Sequence, residues 1–481
     1  MSVSRICSFI NGEFSQPLSG RWLENHDPAT GQVYSEVADS NADDVAMAVE
    51  SATAASAKWS RVHVDERSGF LHRMANSLNA RLDAFVQAES RDTGKPVWLA
   101  RDFEIPRVVQ NFRFFASLVA GAGGESYDSP AGLNVTHQVP WGVGGVISPW
   151  NLPLYLFSWK IAPALATGNC LVAKPSELTP MTAMMLGEVC QEVGLPPGVL
   201  NILQGTGPTT GQAIVEHPGV KAISFTGGTK TGATIASTAA PLFKKVSLEL
   251  GGKNPNLIFA DCDFHKMLAT TIRSSFQNSG QVCLCGSRIY VERSIYDRFL
   301  EAFVSAVQQL KVGDPKDPAT KMGPVISKPH QEKILGAIHQ AVSDGGTVLC
   351  GGMPIQPEGR CSNGWFVSPT IITGMNQTCA ANQDEIFGPV VTVQPFSTDD
   401  EAVSLANQSR YGLSSTVWTS NLNRAMNVSQ QIESGVVWIN GWLVRDLRTP
   451  FGGMKQSGVG REGGWEGLKF WTQEKNICFC N

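Results

Sequence analysis

Three residues far apart in the chain carry the side-chain types needed to trap a carbonyl carbon and release it as an acid. Cys283 sits in Phe276-Gln277-Asn278-Ser279-Gly280-Gln281-Val282-Cys283, Glu249 in Leu248-Glu249-Leu250-Gly251-Gly252-Lys253, and Asn151 in Ser148-Pro149-Trp150-Asn151-Leu152-Pro153. A thiol of ordinary pKa, about 8.5, must be activated before it attacks at neutral pH. Attack on an aldehyde gives a tetrahedral adduct with negative charge growing on oxygen. The Asn151 amide and the backbone N–H of Cys283 would form an oxyanion hole, worth about 3 kcal/mol per donor. Glu249 is the candidate base that activates water to hydrolyse the resulting thioester. The competing reading of Cys283 is one more buried thiol among eleven cysteines; the company of Glu249 and Asn151 favours the nucleophile.

Oxidation of the adduct needs a hydride acceptor, and two glycine-rich turns offer places to hold one. They are Gly205-Thr206-Gly207-Pro208-Thr209-Thr210-Gly211 and Phe225-Thr226-Gly227-Gly228-Thr229-Lys230-Thr231-Gly232. Neither is a clean G-x-G-x-x-G and neither continues into a phosphate loop, so each alone reads first as a tight strand-to-helix turn. A helix beginning near Thr229 would still present backbone N–H groups to a pyrophosphate. Lys174-Pro175-Ser176-Glu177 follows a buried strand, where the crevice of such sheets binds ligands. A carboxylate at Glu177 accepts hydrogen bonds from an adenosine ribose and repels a 2′-phosphate, which favours NAD over NADP. The plain alternative is a charge on a surface loop.

The elements that must position these residues are marked by a change of texture. Residues 43 to 120 read mostly as helix, with Phe70, Leu71, Met74, Leu78 and Leu82 recurring at helical spacing after Asp65-Glu66. Ile105, Val108, Phe112, Phe115 and Val119 form a second stripe. From 143, short apolar runs bounded by Gly, Pro or Asn alternate with helical stretches, at 143–148, 170–174, 200–204, 222–226 and 246–250. Strands apolar on both faces, alternating with helices, predict a doubly wound parallel sheet. A similar series follows Cys283 at 288–292, 347–349, 390–393, 415–419 and 436–440, so two α/β units in tandem are expected, with a boundary near Gly251-Gly252. A strand-like Ile477-Cys478-Phe479 lies beyond the second unit, free to add to another subunit's sheet.

Composition narrows the function classes. The 481 residues suffice for about three domain-sized units. Hydrophobic content of 42% with 17% charged residues fits a globular enzyme, and a net charge of -4 gives no reason to expect nucleic acid or an anionic membrane as partner. No stretch approaches the roughly 18 uninterrupted apolar residues of a membrane span. Met1 to Asn11 has one Arg and no apolar core of signal-peptide length, and an odd cysteine count argues against a disulfide framework. A cytoplasmic protein is expected. The pairs Cys283/Cys285 and Cys478/Cys480 lack the further ligands that structural zinc needs, so no metal site is expected.

Seven motifs now stand in an order that resembles the aldehyde dehydrogenase superfamily nearly from end to end. They are Pro149-Trp150-Asn151, Lys174-Pro175-Ser176-Glu177, Phe225-Thr226-Gly227, Leu248 to Lys253, Gly280-Gln281-Val282-Cys283, Glu385-Ile386-Phe387-Gly388-Pro389 and Pro450 to Gly458. The resemblance implies an α/β fold of two tandem doubly wound domains with a small β bridging domain that exchanges strands between subunits. It implies an NAD-binding domain over 1–121 and 141–250, a catalytic domain over 251–455, and an oligomerisation domain over 122–140 and 466–481. It further implies NAD contacts at Ser148, Trp150, Lys174, Glu177, Gly207, Gly211, Thr226, Gly227, Gly228 and Leu250, with Glu385 on the nicotinamide-side ribose and Phe387 packing near the ring. Lys160 and Glu462 match conserved family positions, as a proton-relay shell or equally a structural ion pair, and a homodimer or homotetramer is implied. One departure stands at Gly228, where the family often has serine, so a pyrophosphate hydrogen bond is missing there.

Two arginines bear on the substrate. By the resemblance, Arg107 in Ile105-Pro106-Arg107 lies on a helix lining the family's substrate tunnel, and Arg445 in Val444-Arg445-Asp446-Leu447-Arg448 borders it. Tunnels for apolar aldehydes want aliphatic or aromatic lining, whereas guanidinium offers bidentate recognition of a carboxylate. Both stretches resemble the branch acting on 2-aminomuconic and 2-hydroxymuconic 6-semialdehydes. The expected activity is NAD-dependent oxidation of such a semialdehyde, the 2-amino compound first. The competing reading pairs Arg107 with Glu104 on the helix surface and neutralises Arg445 with Asp446. A long apolar aldehyde, betaine aldehyde or acyl transfer to coenzyme A fits less well. The non-catalytic scaffold reading predicts erosion of Cys283, Glu249 or Asn151, and all three are present.

Overall fold

The computed structural model describes residues 4–480, so the outermost ends of the first and last expected segments, residues 1–3 and 481, lie outside the described residues. Val143–Ile147, Cys170–Lys174, Leu200–Ile202, Ala222–Thr226 and Lys245–Glu249 run parallel in one eight-stranded sheet. Its central strands are buried on both faces, which is why their sequences carry no polar alternation. In space the order is Lys245–Glu249, Ala222–Thr226, Val143–Ile147, Cys170–Lys174, Leu200–Ile202. The chain therefore winds outward from Val143–Ile147 in one direction, returns to its other side, and winds the opposite way. The switch point lies between Val143–Ile147 and Ala222–Thr226, and their carboxyl ends open a crevice there. Gly144 and Gly145 let neighbouring layers close on this strand; a Cβ on Gly144 would lie 2.4 Å from the Trp471 ring.

A second sheet of seven strands holds Pro255–Ile258, Arg288–Glu292, Val390–Phe396, Ser414–Trp418 and Val436–Ile439 in parallel register, with Thr370–Thr373 and an antiparallel Thr347–Cys350 at one edge. Each run expected from the sequence is present, with ends displaced by up to three residues. Pro255–Ile258 was not expected, since Pro and Asn open it, yet it lies inside the sheet between Arg288–Glu292 and Ser414–Trp418. Also unexpected are the N-terminal strands Ser4–Ile6, Trp22–Asp27 and Gln32–Ala38, whose charged and amide residues hide any apolar period. Thr472–Cys480 pairs antiparallel with Gly132–Pro140, which pairs with Ser126–Ser129, in a separate three-stranded sheet. Gly458–Val459 crosses back to pair with Lys245–Glu249 in the first sheet.

Residues 42–119 are helical almost throughout, as Ala42–Trp59, Val64–Ala80, Leu82–Thr93 and Ile105–Val119. Asn41 caps the first through a reciprocal box with Asp44. Gly94 ends the third at φ 73, and a Cβ there would lie 2.4 Å from Pro324. A π-helical turn, Ala100–Glu104, leads into Ile105–Val119. Among the described residues no helix is long and apolar enough to cross a membrane, and no group of three or more His, Cys, Asp or Glu is placed to hold a metal ion.

Candidate active site

Cys283 follows helix Phe264–Phe276 through a tight loop in which Asn278, Ser279 and Gly280 are all left-handed, at φ 53, 57 and 70. The two non-glycine residues each cost about 1–3 kcal/mol, so the loop persists only because its surroundings dictate it. A Cβ on Gly280 would sit 2.1 Å from the Gly388 carbonyl oxygen. The Ser279 hydroxyl donates to the Gly323 carbonyl at 2.8 Å, and the Asn254 amide donates to the Cys283 carbonyl at 2.7 Å. The thiol is thereby delivered to the junction of two cavities, one of about 890 Å³ on the side of Arg107 and Arg445, the other of about 760 Å³ on the side of Trp150 and Glu385.

Asn151 is buried between the end of strand Val143–Ile147 and helix Pro153–Ala166. One of its amide hydrogens is used on the Gln281 carbonyl at 3.0 Å, which ties the side chain to the cysteine loop. The second amide hydrogen remains to meet an oxyanion. Glu249, at the last position of strand Lys245–Glu249, is buried with neither carboxyl oxygen meeting a hydrogen-bond donor among the described residues. Burial, and then Glu462, raise its pKa well above the usual carboxylate range, while Lys160, Arg445 and Arg461 pull it down. Burial, then Glu385 and Glu249, push the Cys283 thiol above its ordinary value, and Arg445 lowers it. A thiol held protonated needs a base whose own proton affinity is raised, and Glu249 meets that need.

Lys160 and Glu462 form a buried pair at 2.6 Å, with the Ser224 hydroxyl donating to Glu462 at 3.1 Å. Glu462 lines the 890 Å³ cavity alongside Glu249. The pair is therefore structural in geometry and electrostatic in its effect on Glu249.

On the other side, a cavity of about 800 Å³ runs along the sheet's carboxyl edge, where Ser148, Lys174, Glu177, Gly207, Gly211 and Gly228 share its wall. Helix Thr229–Ala239 begins here with Gly228 as N-cap and no side-chain cap bond, so its first N–H groups are open to a phosphate. Lys174 is buried, donates to the Pro175 carbonyl at 2.8 Å and pairs with Glu177 at 3.3 Å. Glu385 accepts from the Gly252 N–H at 3.0 Å, and burial lifts its carboxyl to about 7. Thr226, Gly227, Leu250 and Phe387 line the middle cavity that connects this edge to Cys283. A crevice with a bare helix N-terminus, a buried lysine and glycine walls fits a dinucleotide.

The arginines do not pair as the competing reading proposed. Glu104 turns inward to Lys95, leaving Arg107 without it, and Asp446 pairs with Arg448 at 2.6 Å. Burial does not explain Asp446; Arg448 chiefly holds its carboxyl down at about 2. Among the described residues neither Arg107 nor Arg445 is in an ion pair. Arg445 stacks 3.8 Å over the Phe451 ring, and Arg107 donates to the Arg445 carbonyl at 3.4 Å. Both guanidinium groups line the cavity that Cys283 opens into.

Sequence reasoning missed His330, whose ring lies 5.4 Å from Trp150 and shares a 2.7 Å hydrogen bond with the carbonyl of Phe387, itself left-handed at φ 57. Burial lowers its pKa to about 4, so the ring is neutral and donates from Nε2. It missed Lys95 as well. No local pattern marks either residue, because their partners come from distant segments.

The family model described as the aldehyde dehydrogenase family matches residues 15–477. The chain is 49% identical over 478 residues to 2-aminomuconic semialdehyde dehydrogenase of Danio rerio, covering 98% of this chain and 97% of that protein. It is 47% identical over 483 residues to 2-hydroxymuconic semialdehyde dehydrogenase of Pseudomonas sp. (strain CF600), covering 99% of each. The solved NAD+ complex of an aldehyde dehydrogenase from Bacillus cereus superposes with a TM-score of 0.97 at 37% identity, covering 99% of this chain and 97% of that one.

Proposed function

This chain belongs to the aldehyde dehydrogenase family, and on that premise we propose that it oxidises a carboxylate-bearing unsaturated semialdehyde, 2-aminomuconate 6-semialdehyde to 2-aminomuconate, in the kynurenine branch of tryptophan breakdown. The enzyme is an NAD-dependent oxidoreductase acting on an aldehyde group. One observation carries the substrate reading: two guanidinium groups that form no ion pair among the described residues line the same cavity as the nucleophile. A carboxylate held bidentately there leaves the aldehyde end of a six-carbon chain to reach Cys283.

The Cys283 sulfur attacks the aldehyde carbon, forming the C–S bond while the thiol proton passes to a base for which Glu249 is suited. The oxygen's charge is taken up by the free amide hydrogen of Asn151 and the backbone N–H of Cys283. The chemistry that NAD would supply there is acceptance of the hydride from the adduct carbon. Ser148, Trp150, Lys174, Glu177, Gly207, Gly211, Thr226, Gly227, Gly228 and Leu250 would hold it, and Glu385 and Phe387 would fix its reactive end. Glu249, once its first proton has passed to solvent, takes a proton from the water that cleaves the thioester and hands it to the departing sulfur, so the acid leaves with the thiol restored. Lys160 and Glu462 tune Glu249 from behind.

The 2-hydroxy analogue is the second reading, favoured by the relative of 47% identity that is named for it. Freshly generated 2-amino- and 2-hydroxymuconic semialdehydes, assayed side by side for NADH formation, separate the two. A higher kcat/KM for the hydroxy compound would overturn the first reading. No turnover of either, with ready turnover of a long apolar aldehyde, would overturn both.

We further propose that the sheet Ser126–Ser129, Gly132–Pro140 and Thr472–Cys480, with residues 122–140 and 466–481, serves assembly into a homodimer or homotetramer. Residues 1–121 and 141–250 serve NAD and 251–455 catalysis. Tyr127, Leu133 and Phe479 are exposed on that sheet, which supports the reading. All eleven cysteines are free thiols, in keeping with a cytoplasmic setting. Light scattering on the purified protein reads the oligomer directly.

A further inference from the structure

Behind the active site lies a buried charged cluster that the mechanism above does not use. Lys95, turned inward by the left-handed Gly94, is 1% exposed, and its ammonium meets Glu104, the Asn151 carbonyl at 3.1 Å and Glu89 at 3.7 Å. Glu104 ends the π-helical turn, where the Ile105 N–H reaches back to the Ala100 carbonyl. That turn brings the Glu104 carboxylate to Lys95, and both Glu104 and Arg107, three residues on, border the substrate cavity. The Asn151 carbonyl also accepts from the Asn278 amide at 3.0 Å. Both its lone pairs are thus engaged, one by the Asn278 loop that presents Cys283 and one by Lys95.

We propose that Lys95 and Glu104 are positioning residues for the reaction: Lys95 fixes the Asn151 peptide and so the aim of its side-chain amide, and Glu104 fixes Lys95 while tying it to the helix that carries Arg107. The oxyanion donor and the substrate carboxylate site are thereby held in one frame. This rests on the reading of Asn151 as oxyanion donor.

An ion pair that served stability alone would lower the melting temperature and leave kcat per folded molecule intact. Positioning through Asn151 has another signature, which a double-mutant cycle on the full-length enzyme reads. Asn151→Ala is expected to lower kcat about 10²–10³-fold. Lys95→Met is expected to lower kcat about tenfold or more with KM for aldehyde and NAD within about twofold, and in the Asn151→Ala background to cost less than about twofold. Glu104→Gln, which keeps an acceptor for Lys95, is expected to retain most of the rate, and Glu104→Leu to resemble Lys95→Met. Where Lys95→Met does not fold, Lys95→Met/Glu89→Gln/Glu104→Gln removes the two buried carboxylates left without their cation and takes its place in the cycle. An equal loss from the Lys95 change in both backgrounds, or none in either, overturns the proposal and leaves the oxyanion reading standing. Full activity of Asn151→Ala overturns the oxyanion reading itself, and the proposal with it.

Discussion

The two sides of Cys283 are built by opposite means. Toward the cofactor, the walls are glycines, a helix N-terminus and strand ends, brought together because the sheet reverses its winding between Val143–Ile147 and Ala222–Thr226. Toward the substrate, the walls are large side chains, Phe103, Tyr155, Trp159, Phe451 and the two arginines, carried on helices and on the loop before Phe451. The first is a property of topology, and most sequences that fold this way reproduce it. The second is a property of the side chains and can be rewritten without touching the sheet. Cys283 belongs to both, which is why its protonation responds to Glu385 on one side and Arg445 on the other; Glu249 borders the substrate side and answers to Glu462, Lys160, Arg445 and Arg461.

Breaking that shared centre gives the largest expected effects. Cys283→Ala should lower turnover of every aldehyde by at least about 10⁴-fold, as loss of a covalent nucleophile does. Glu249→Gln should cut steady-state turnover about 10²–10⁴-fold and also slow the first release of NADH in stopped-flow absorbance, since Glu249 serves as base for both the thiol and the water. A burst of one NADH per active site at the unsubstituted rate would confine Glu249 to hydrolysis.

Next in size come the arginines, and they should differ. Arg107→Ala should raise KM for a semialdehyde acid about 10–100-fold, the worth of charge-assisted hydrogen bonds, and leave a neutral aldehyde nearly untouched. Arg445 also lowers the pKa of both Cys283 and Glu249. Its removal lets both rise, so less of each is ionised at a given pH and the acidic limb of the rate profile moves to higher pH. Arg445→Ala should therefore impair a neutral aldehyde too, at neutral pH more than at alkaline pH. Equal, pH-independent effects of the two substitutions on neutral and acidic aldehydes would dissolve the distinction between clamp and tuner.

The same division governs what could be read from the sequence. Strand ends and glycine turns announce themselves, because a doubly buried strand must be apolar and a tight turn must be glycine; Cys170–Lys174, Ala222–Thr226 and Arg288–Glu292 fell where expected. The arginines' positions were legible, but their freedom was not. Whether Glu104 faces Arg107 or Lys95 depends on a single π-helical turn, and an α-helical reading of the same residues leaves the alternative open. Lys95 and His330 were invisible for a related reason. Each acts on a backbone carbonyl, of Asn151 and Phe387, and a carbonyl leaves no mark in the sequence. Pro255–Ile258 escaped because its neighbours in the sheet, not its own residues, make it a strand.

The smallest expected effect probes the cofactor side, where side chains count least. Gly228 caps helix Thr229–Ala239 at φ -70 and ψ 146, a conformation open to any residue, and a Cβ there meets nothing within 4 Å. Gly228→Ser is therefore accommodated without strain. Its hydroxyl adds one hydrogen bond toward a phosphate already faced by backbone N–H groups, a gain of about 1 kcal/mol, or roughly fivefold in affinity. Replacing a glycine cap by serine changes helix stability by only a few tenths of a kcal/mol, so the melting temperature barely moves. Trp150, on the cavity wall, offers a fluorescence reading of NAD affinity without turnover. A fivefold tightening with unchanged kcat for the semialdehyde would keep the two sides separable. A change in substrate preference from this one position, remote from Arg107 and Arg445, would mean that the sheet edge and the tunnel are coupled through Cys283 more strongly than their construction implies.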